Sequence, residues 1–152
     1  MSRGLLTHLA DRFVTQREDL ATEALLFVLH ESPNARAEVV RLLNDLGCSL
    51  EGNAQFRSQA TGDGRPDLVG VIDGAERLLF EAKFWAGLTS NQPVAYLSRV
   101  EEAGGDALVF IAPQRRLEIL WIELEKRIHE TGGTVGPRSS PFPGTMAATV
   151  GG

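Results

Sequence analysis

The sequence has little of several features that mark particular protein classes. It contains a single cysteine, Cys48, in 152 residues, which excludes a framework of internal disulfides and suits a reducing cytoplasm. No apolar run reaches the length of a membrane span, and the N-terminus lacks the apolar core of a secretion signal. The net charge of −5 argues against a surface coated with basic residues for nucleic acid, but it does not exclude a local basic groove. We therefore expect a cytoplasmic protein with no membrane partner.

Common catalytic motifs are also missing from the sequence. There is no G-x-S-x-G nucleophile motif, no P-loop and no dinucleotide-binding fingerprint. The three histidines, His8, His30 and His129, are scattered without the spacing of zinc ligands. We therefore interpret all three histidines as structural.

The pattern of apolar and turn-forming residues predicts one α/β domain over residues 1–130. Helices are predicted over 4–14, from Thr15 to near His30, and from Ser32–Pro33 to Gly47. The predicted buried face of the second helix is Leu20, Ala24, Phe27 and Val28. A strand within 53–60, a hairpin at 65–84, a helix over 92–102, a buried strand over 107–111 and a helix ending near 132 follow. This order predicts a mixed sheet of about four strands with helices on both faces.

Residues 131–152 are rich in Gly, Pro, Ser and Thr and show little apolar periodicity. Such a composition is typical of a flexible tail or linker, and that is the structure expected for this stretch.

The predicted hairpin brings two acidic residues together. A three-residue loop at Asp73–Ala75 sets Asp67 opposite Glu81, and a loop of two or four residues moves that pairing by one residue. Directly opposed residues have Cβ atoms about 5 Å apart, and Lys83 points to the same face as Glu81. Two such carboxylates are tolerated if a cation lies between them or if one is protonated. The hairpin therefore predicts a site for a divalent ion and an activated water.

The combination of motifs resembles the PD-(D/E)XK nuclease superfamily, also called restriction-endonuclease-like. The resemblance rests on Pro66–Asp67, an apolar strand and then Glu81–Lys83, in this order of helices and strands. Gln92 and Tyr96 look like the Q-x-x-x-Y motif of the recombination-exonuclease branch, and Glu23 sits where many members keep a further acidic residue. The resemblance covers roughly residues 17–125 and implies a restriction-endonuclease-like core.

The resemblance implies phosphodiester hydrolysis with Mg²⁺ or Mn²⁺, most simply in DNA. By match, the metal ligands would be Asp67, Glu81, the carbonyl of Ala82 and Glu23, the last through a bound water or a second metal. Lys83 would orient or deprotonate the attacking water and offset charge in the transition state. The sequence does not choose between one metal and two.

The remaining implied roles concern substrate and partners. Gln92 and Tyr96 would contact substrate or brace the site, and Arg65 is the arginine best placed for a phosphate because it adjoins Pro66–Asp67. A small acidic domain is expected to need a dimer or further domains to grip a duplex. Two alternatives stay open: Glu23 as a plain surface carboxylate, and a catalytically degenerate module that binds nucleic acid or protein without cutting.

Overall fold

The computed structural model describes residues 17–58, 65–84, 87–90, 92–102, 104, 107–131 and 145–149. The helices are α1 (Arg17–Glu31), α2 (Pro33–Asp45), α3 (Val94–Glu102) and α4 (Gln114–Glu130). The strands are β1 (Ala54–Ser58), β2 (Leu68–Ile72), β3 (Ala75–Ala82), β4 (Ala107–Ile111) and β5 (Thr145–Thr149). The helix predicted over 4–14 and the start predicted at Thr15 for the next helix lie outside the described residues. None of the described helices is long and apolar enough to cross a membrane.

The strands form one mixed sheet in the order β1-β2-β3-β4-β5. Strands β3 and β4 are parallel and are joined through α3, whereas the other neighbouring pairs are antiparallel. The predicted α/β class with a mixed sheet is confirmed. The sheet was expected to have about four strands, and a fifth joins it because Thr145–Thr149 pairs with β4. The expectation of a tail is therefore wrong for those residues, since the open edge of β4, which the sequence does not reveal, supplies their backbone partners.

The helices pack on both faces of the sheet, as predicted. Leu26 and Leu29 of α1 share one core with Phe80 of β3. Leu79, the neighbour of Phe80, belongs to a second core with residues of α3 and α4. Because successive strand residues point to opposite faces, Glu81 lies on the face that α3 and α4 cover.

The apolar face predicted for α1 is wrong. Phe27 and Val28 are 66% and 50% exposed, whereas Leu26 and Leu29 are buried. The helix carries apolar residues around most of its circumference, so spacing alone admits more than one buried face. Packing against β1 and α2 selects the face with Leu26 and Leu29.

Local end signals predicted α2 correctly. The Ser32 Oγ accepts a hydrogen bond from the Ala35 N–H at 3.2 Å, and Pro33 is the first helical residue. Gly47 follows the helix with φ +104°, a conformation that favours glycine. These contacts depend only on neighbouring residues, which is why the sequence was sufficient.

The hairpin turn contains two residues rather than the predicted three. Asp73 and Gly74 have φ values of +51° and +81°, and Ile72 pairs with Ala75 on the other side of the turn. Positive φ at both central positions matches the right-handed twist of the flanking strands, and Asp-Gly is a favoured sequence for it.

A β-bulge restores the predicted register beyond that turn. Gly70 pairs with Leu78, although its neighbour Val71 pairs with Glu76, so Arg77 is the extra residue on β3. The ladder then reaches Leu68 opposite Phe80. Continuing it by one residue sets Asp67 opposite Glu81, which is the pairing on which the predicted site depends.

Candidate metal and substrate site

Asp67 lies just before β2 and is tied to the end of β3. Its Oδ2 accepts a hydrogen bond from the Ala82 N–H at 2.7 Å. The side chain is partly exposed, so the carboxylate is held by the sheet while remaining within reach of solvent. The structure therefore places Asp67 beside Glu81 and Ala82, as the hairpin predicted.

Glu81 is buried and uses only one of its two oxygens. Its Oε1 lies 2.8 Å from the Lys83 Nζ and accepts a hydrogen bond from the Gln92 Nε2 at 2.7 Å. Its Oε2 is buried and has no hydrogen-bond partner among the described residues. A buried carboxylate oxygen without a partner costs free energy. A cation at Oε2 would remove that cost.

Lys83 is held at its backbone as well as at its ammonium group. Its N–H donates to the Ile111 carbonyl at 2.8 Å, and its own carbonyl accepts from the Arg116 Nη1 at 2.8 Å. The residue as a whole is 4% exposed. The ammonium group is thus fixed on Glu81 inside the protein rather than on the surface.

Gln92 and Tyr96 approach the acidic pair from α3 and the residues just before it. The Gln92 Nε2 donates to the Tyr96 hydroxyl at 3.2 Å as well as to Glu81. The Gln92 Oε1 accepts from the Thr89 N–H at 3.2 Å. Both ends of the Gln92 amide therefore have partners, and the Thr89 contact turns its NH₂ group towards Glu81.

Both carboxylates affect the pKa of Tyr96. Burial raises the pKa of Tyr96 to about 12, and the negative charges of Glu81 and Asp67 also act to raise it. The hydrogen bond from Gln92 and the charge of Arg99 oppose this shift. The hydroxyl therefore lies within the electrostatic reach of both acids, which places all these groups in one site.

The raised pKa predicts how stability changes with pH. Tyr96 is the sole tyrosine of the chain. In the unfolded chain it ionises near pH 10, whereas the folded protein keeps the proton up to about pH 12. The stabilisation is thus complete below about pH 10 and is lost as the pH rises towards 12, by at most about 1.4 kcal/mol per pH unit.

Urea unfolding at several pH values between about 9 and 11 tests this effect. The unfolding free energy of the wild type should fall relative to that of Tyr96→Phe as the pH rises, because phenylalanine cannot ionise. Parallel pH profiles for the two proteins would contradict the raised pKa.

The structure does not bring Glu23 to the acidic pair. Glu23 is exposed on α1, which packs on the face of the sheet opposite Glu81. Within the described ranges, no three or more His, Cys, Asp or Glu side chains are grouped so that they could hold a metal ion. Arg65 is exposed two residues before Asp67, and its contact with a phosphate stays a prediction.

Three residues support the site through contacts that sequence reasoning did not predict: Thr89, Arg116 and Arg127. The Arg127 Nη1 donates to the Gln92 carbonyl at 2.8 Å and also to the Thr89 carbonyl. Arg116 and Arg127 share one face of α4 by helical spacing, which is a weak signal in the sequence. Which carbonyls they reach depends on how α4 packs.

A scan against protein-family models, a search of curated proteins and a search of solved structures each found no match for this chain. The site itself offers two neighbouring carboxylates, Asp67 and Glu81, and a buried lysine that contacts Glu81. The Gln92 amide binds the same Glu81 oxygen as that lysine and leaves the other oxygen unpaired.

Proposed function

We propose that this protein is a divalent-metal-dependent nuclease that hydrolyses phosphodiester bonds in DNA, on a restriction-endonuclease-like core. The observation that carries the proposal is the Oε2 of Glu81, which is buried and has no hydrogen-bond partner among the described residues. Asp67 lies at the same end of the hairpin, where its carboxylate accepts from the Ala82 N–H. The proposed ligands are Asp67, Glu81 and the carbonyl of Ala82. The resemblance of Pro66–Asp67 and Glu81–Lys83 to the PD-(D/E)XK pattern supports the choice of reaction.

The residues fit Mg²⁺ or Mn²⁺ in type. Mg²⁺ prefers oxygen ligands and is commonly bound through one or two carboxylates while it keeps several waters. Asp67 and Glu81 are therefore enough without a third acidic side chain. A bound ion would supply a nucleophilic water and stabilise charge on the phosphate oxygens.

The side chains around the acidic pair have separate tasks in this proposal. Lys83 places a positive charge beside Glu81, where it orients or deprotonates the attacking water and offsets the negative charge of the phosphate. Gln92 occupies Oε1 of Glu81 together with Lys83, so Oε2 is the oxygen left for the ion. The Ala82 N–H holds Oδ2 of Asp67 and fixes the second carboxylate.

One observation favours a second candidate, a nuclease-fold module that binds without cutting. Glu81, Lys83 and Gln92 are 6%, 4% and 4% exposed and bond to one another. A closed set of this kind can also serve as a polar core with no catalytic role. The two candidates make different predictions about metal binding and cleavage.

A cleavage assay on linear, circular and single-stranded DNA, with Mg²⁺, Mn²⁺ or a chelator, tests the proposal. We expect cleavage that requires the metal, and the three substrates separate an end-dependent exonuclease from an endonuclease. A melting experiment runs beside it, because a ligand of the native state raises the melting temperature. If Mn²⁺ neither raises the melting temperature nor supports cleavage, the metal site is overturned and the binding module is favoured. If Mn²⁺ raises the melting temperature but no DNA is cleaved, the metal site stands and the nuclease activity is overturned.

A further inference from the structure

Helix α4 contacts the segment between β3 and α3 near both of its ends, at Lys83 and at Gln92. Arg116 and Arg127 are eleven residues apart, about three helical turns, so they share one face of the helix. Arg116 donates to the carbonyl of Lys83, and Arg127 donates to the carbonyl of Gln92. The two backbone positions held by α4 belong to the two residues whose side chains meet on Oε1 of Glu81.

Arg127 makes the more extensive set of contacts. Its Nη1 donates to the carbonyls of both Thr89 and Gln92, while its Nη2 is paired with Glu123 one helical turn earlier. A guanidinium is planar and keeps its donors in a fixed arrangement. One side chain therefore ties two carbonyls of the 89–92 segment to α4, and Glu123 fixes its direction.

The same segment controls the orientation of the Gln92 amide. The Thr89 N–H donates to the Gln92 Oε1, which leaves the Nε2 to donate to Glu81. If the amide were turned over, its oxygen would face the carboxylate oxygen and the two would repel each other. The correct orientation depends on Thr89 lying at hydrogen-bond distance, and Arg127 holds the carbonyl of that residue.

We infer that Arg127 is a positioning residue, which acts through Thr89 and Gln92 to hold Glu81 in the orientation that leaves its Oε2 unpaired. Hydrogen bonds from a charged donor contribute more than neutral ones, so loss of the Arg127 guanidinium frees Thr89 and Gln92 from α4, while Arg116 still holds Lys83. Gln92 then loses its place on Oε1, and the carboxylate turns. The effect on rate rests on the proposed nuclease function, whereas the effect on Glu81 does not.

A double-mutant cycle on the cleavage rate tests the coupling. Arg127→Ala and Gln92→Ala should each lower kcat by roughly tenfold to 10²-fold, the scale of a misplaced catalytic group. The double variant should be no slower than Gln92→Ala alone, and Arg127→Lys should recover part of the rate. Arg41→Ala, which removes an exposed arginine paired with Glu38 and Asp45, is the control and should keep wild-type kcat. Losses that multiply in the double variant would overturn the inference.

A second readout does not need cleavage. Lys83 and Lys126 are the only lysines of the sequence, so protein carrying ¹³C-labelled lysine ε-carbons gives two signals. The Lys83 signal should move in the same direction in Arg127→Ala and Gln92→Ala, because both remove the Gln92 hydrogen bond from the Glu81 Oε1 that Lys83 contacts. If these shifts agree but the wild type does not cleave, the positioning role holds and the nuclease proposal fails. If the wild type cleaves but Arg127→Ala leaves the Lys83 signal in place, the positioning role is wrong.

Discussion

Asp67→Asn and Glu81→Gln are each expected to lower metal-dependent cleavage by about 10³-fold, since each removes one of the two proposed anionic ligands, worth several kcal/mol in the transition state. Both substitutions keep the size of the side chain and an acceptor oxygen. In Asp67→Asn that oxygen can still accept from the Ala82 N–H, which is the contact that ties the residue to β3. For Asp67→Asn the expected loss therefore comes from the charge and not from the fold. Glu81→Gln also leaves the buried Lys83 without its carboxylate partner, so its cleavage is measured under conditions where the variant is folded.

Steady-state cleavage of DNA by each purified variant, with the unfolding free energy measured alongside, tests this expectation. Asp73→Asn is a matched control because it makes the same chemical change in the turn of the same hairpin, where Asn tolerates the positive φ. Glu101→Gln, at an exposed position of α3, is the control for Glu81→Gln. Cleavage within tenfold of wild type in both site variants would show that these carboxylates do not carry the reaction.

Lys83→Met is expected to destabilise the metal-free protein by about 3–5 kcal/mol, the usual cost of removing one partner of a buried ion pair. The side chains of Lys83 and Glu81 are 5% and 7% exposed, so water cannot solvate the charge of the Glu81 carboxylate that remains. The double variant Glu81→Gln/Lys83→Met removes both charges and should recover most of that loss. Replacement of a buried ion pair by uncharged groups of similar size is often nearly neutral.

Urea unfolding in the presence of a chelator measures these energies. Lys126→Met is the control. The Lys126 Nζ lies 4.0 Å from the Glu130 Oε1, and the two side chains are 74% and 61% exposed. An exposed ion pair of this kind contributes about 0–1 kcal/mol. Added Mg²⁺ should raise the melting temperature of Lys83→Met more than that of the wild type, since the ion takes over the missing charge. An equal loss of stability in the single and double variants would contradict the buried pair.

The acidic pair could be predicted from the sequence because local signals determine it. Asp73–Gly74 specifies the turn, and alternation along β3 puts Glu81 and Lys83 on one face. The turn is one residue shorter than expected, but the bulge at Arg77 offsets it. Two deviations of one residue cancel, so the pairing of Asp67 with Glu81 survives an incorrect loop length.

The supporting residues could not be predicted because long-range packing determines them. Arg127 reaches Thr89 and Gln92 across more than thirty residues of sequence, and nothing near Arg127 indicates that contact. The same limit explains the exposed Phe27 on α1. In each case the sequence offers several faces or partners, and the packed sheet selects one.

The central claim is that Asp67 and Glu81 bind a divalent cation beside Lys83. Titration of Mg²⁺ into the ¹³C-lysine-labelled protein tests it most directly, since Lys83 contacts Glu81 at 2.8 Å and Lys126 is exposed on α4. A saturable movement of the Lys83 signal alone, lost in Asp67→Asn and kept in Asp73→Asn, is the predicted result. A Lys83 signal that stays still over the millimolar range of Mg²⁺, or moves equally in Asp67→Asn, would contradict the claim.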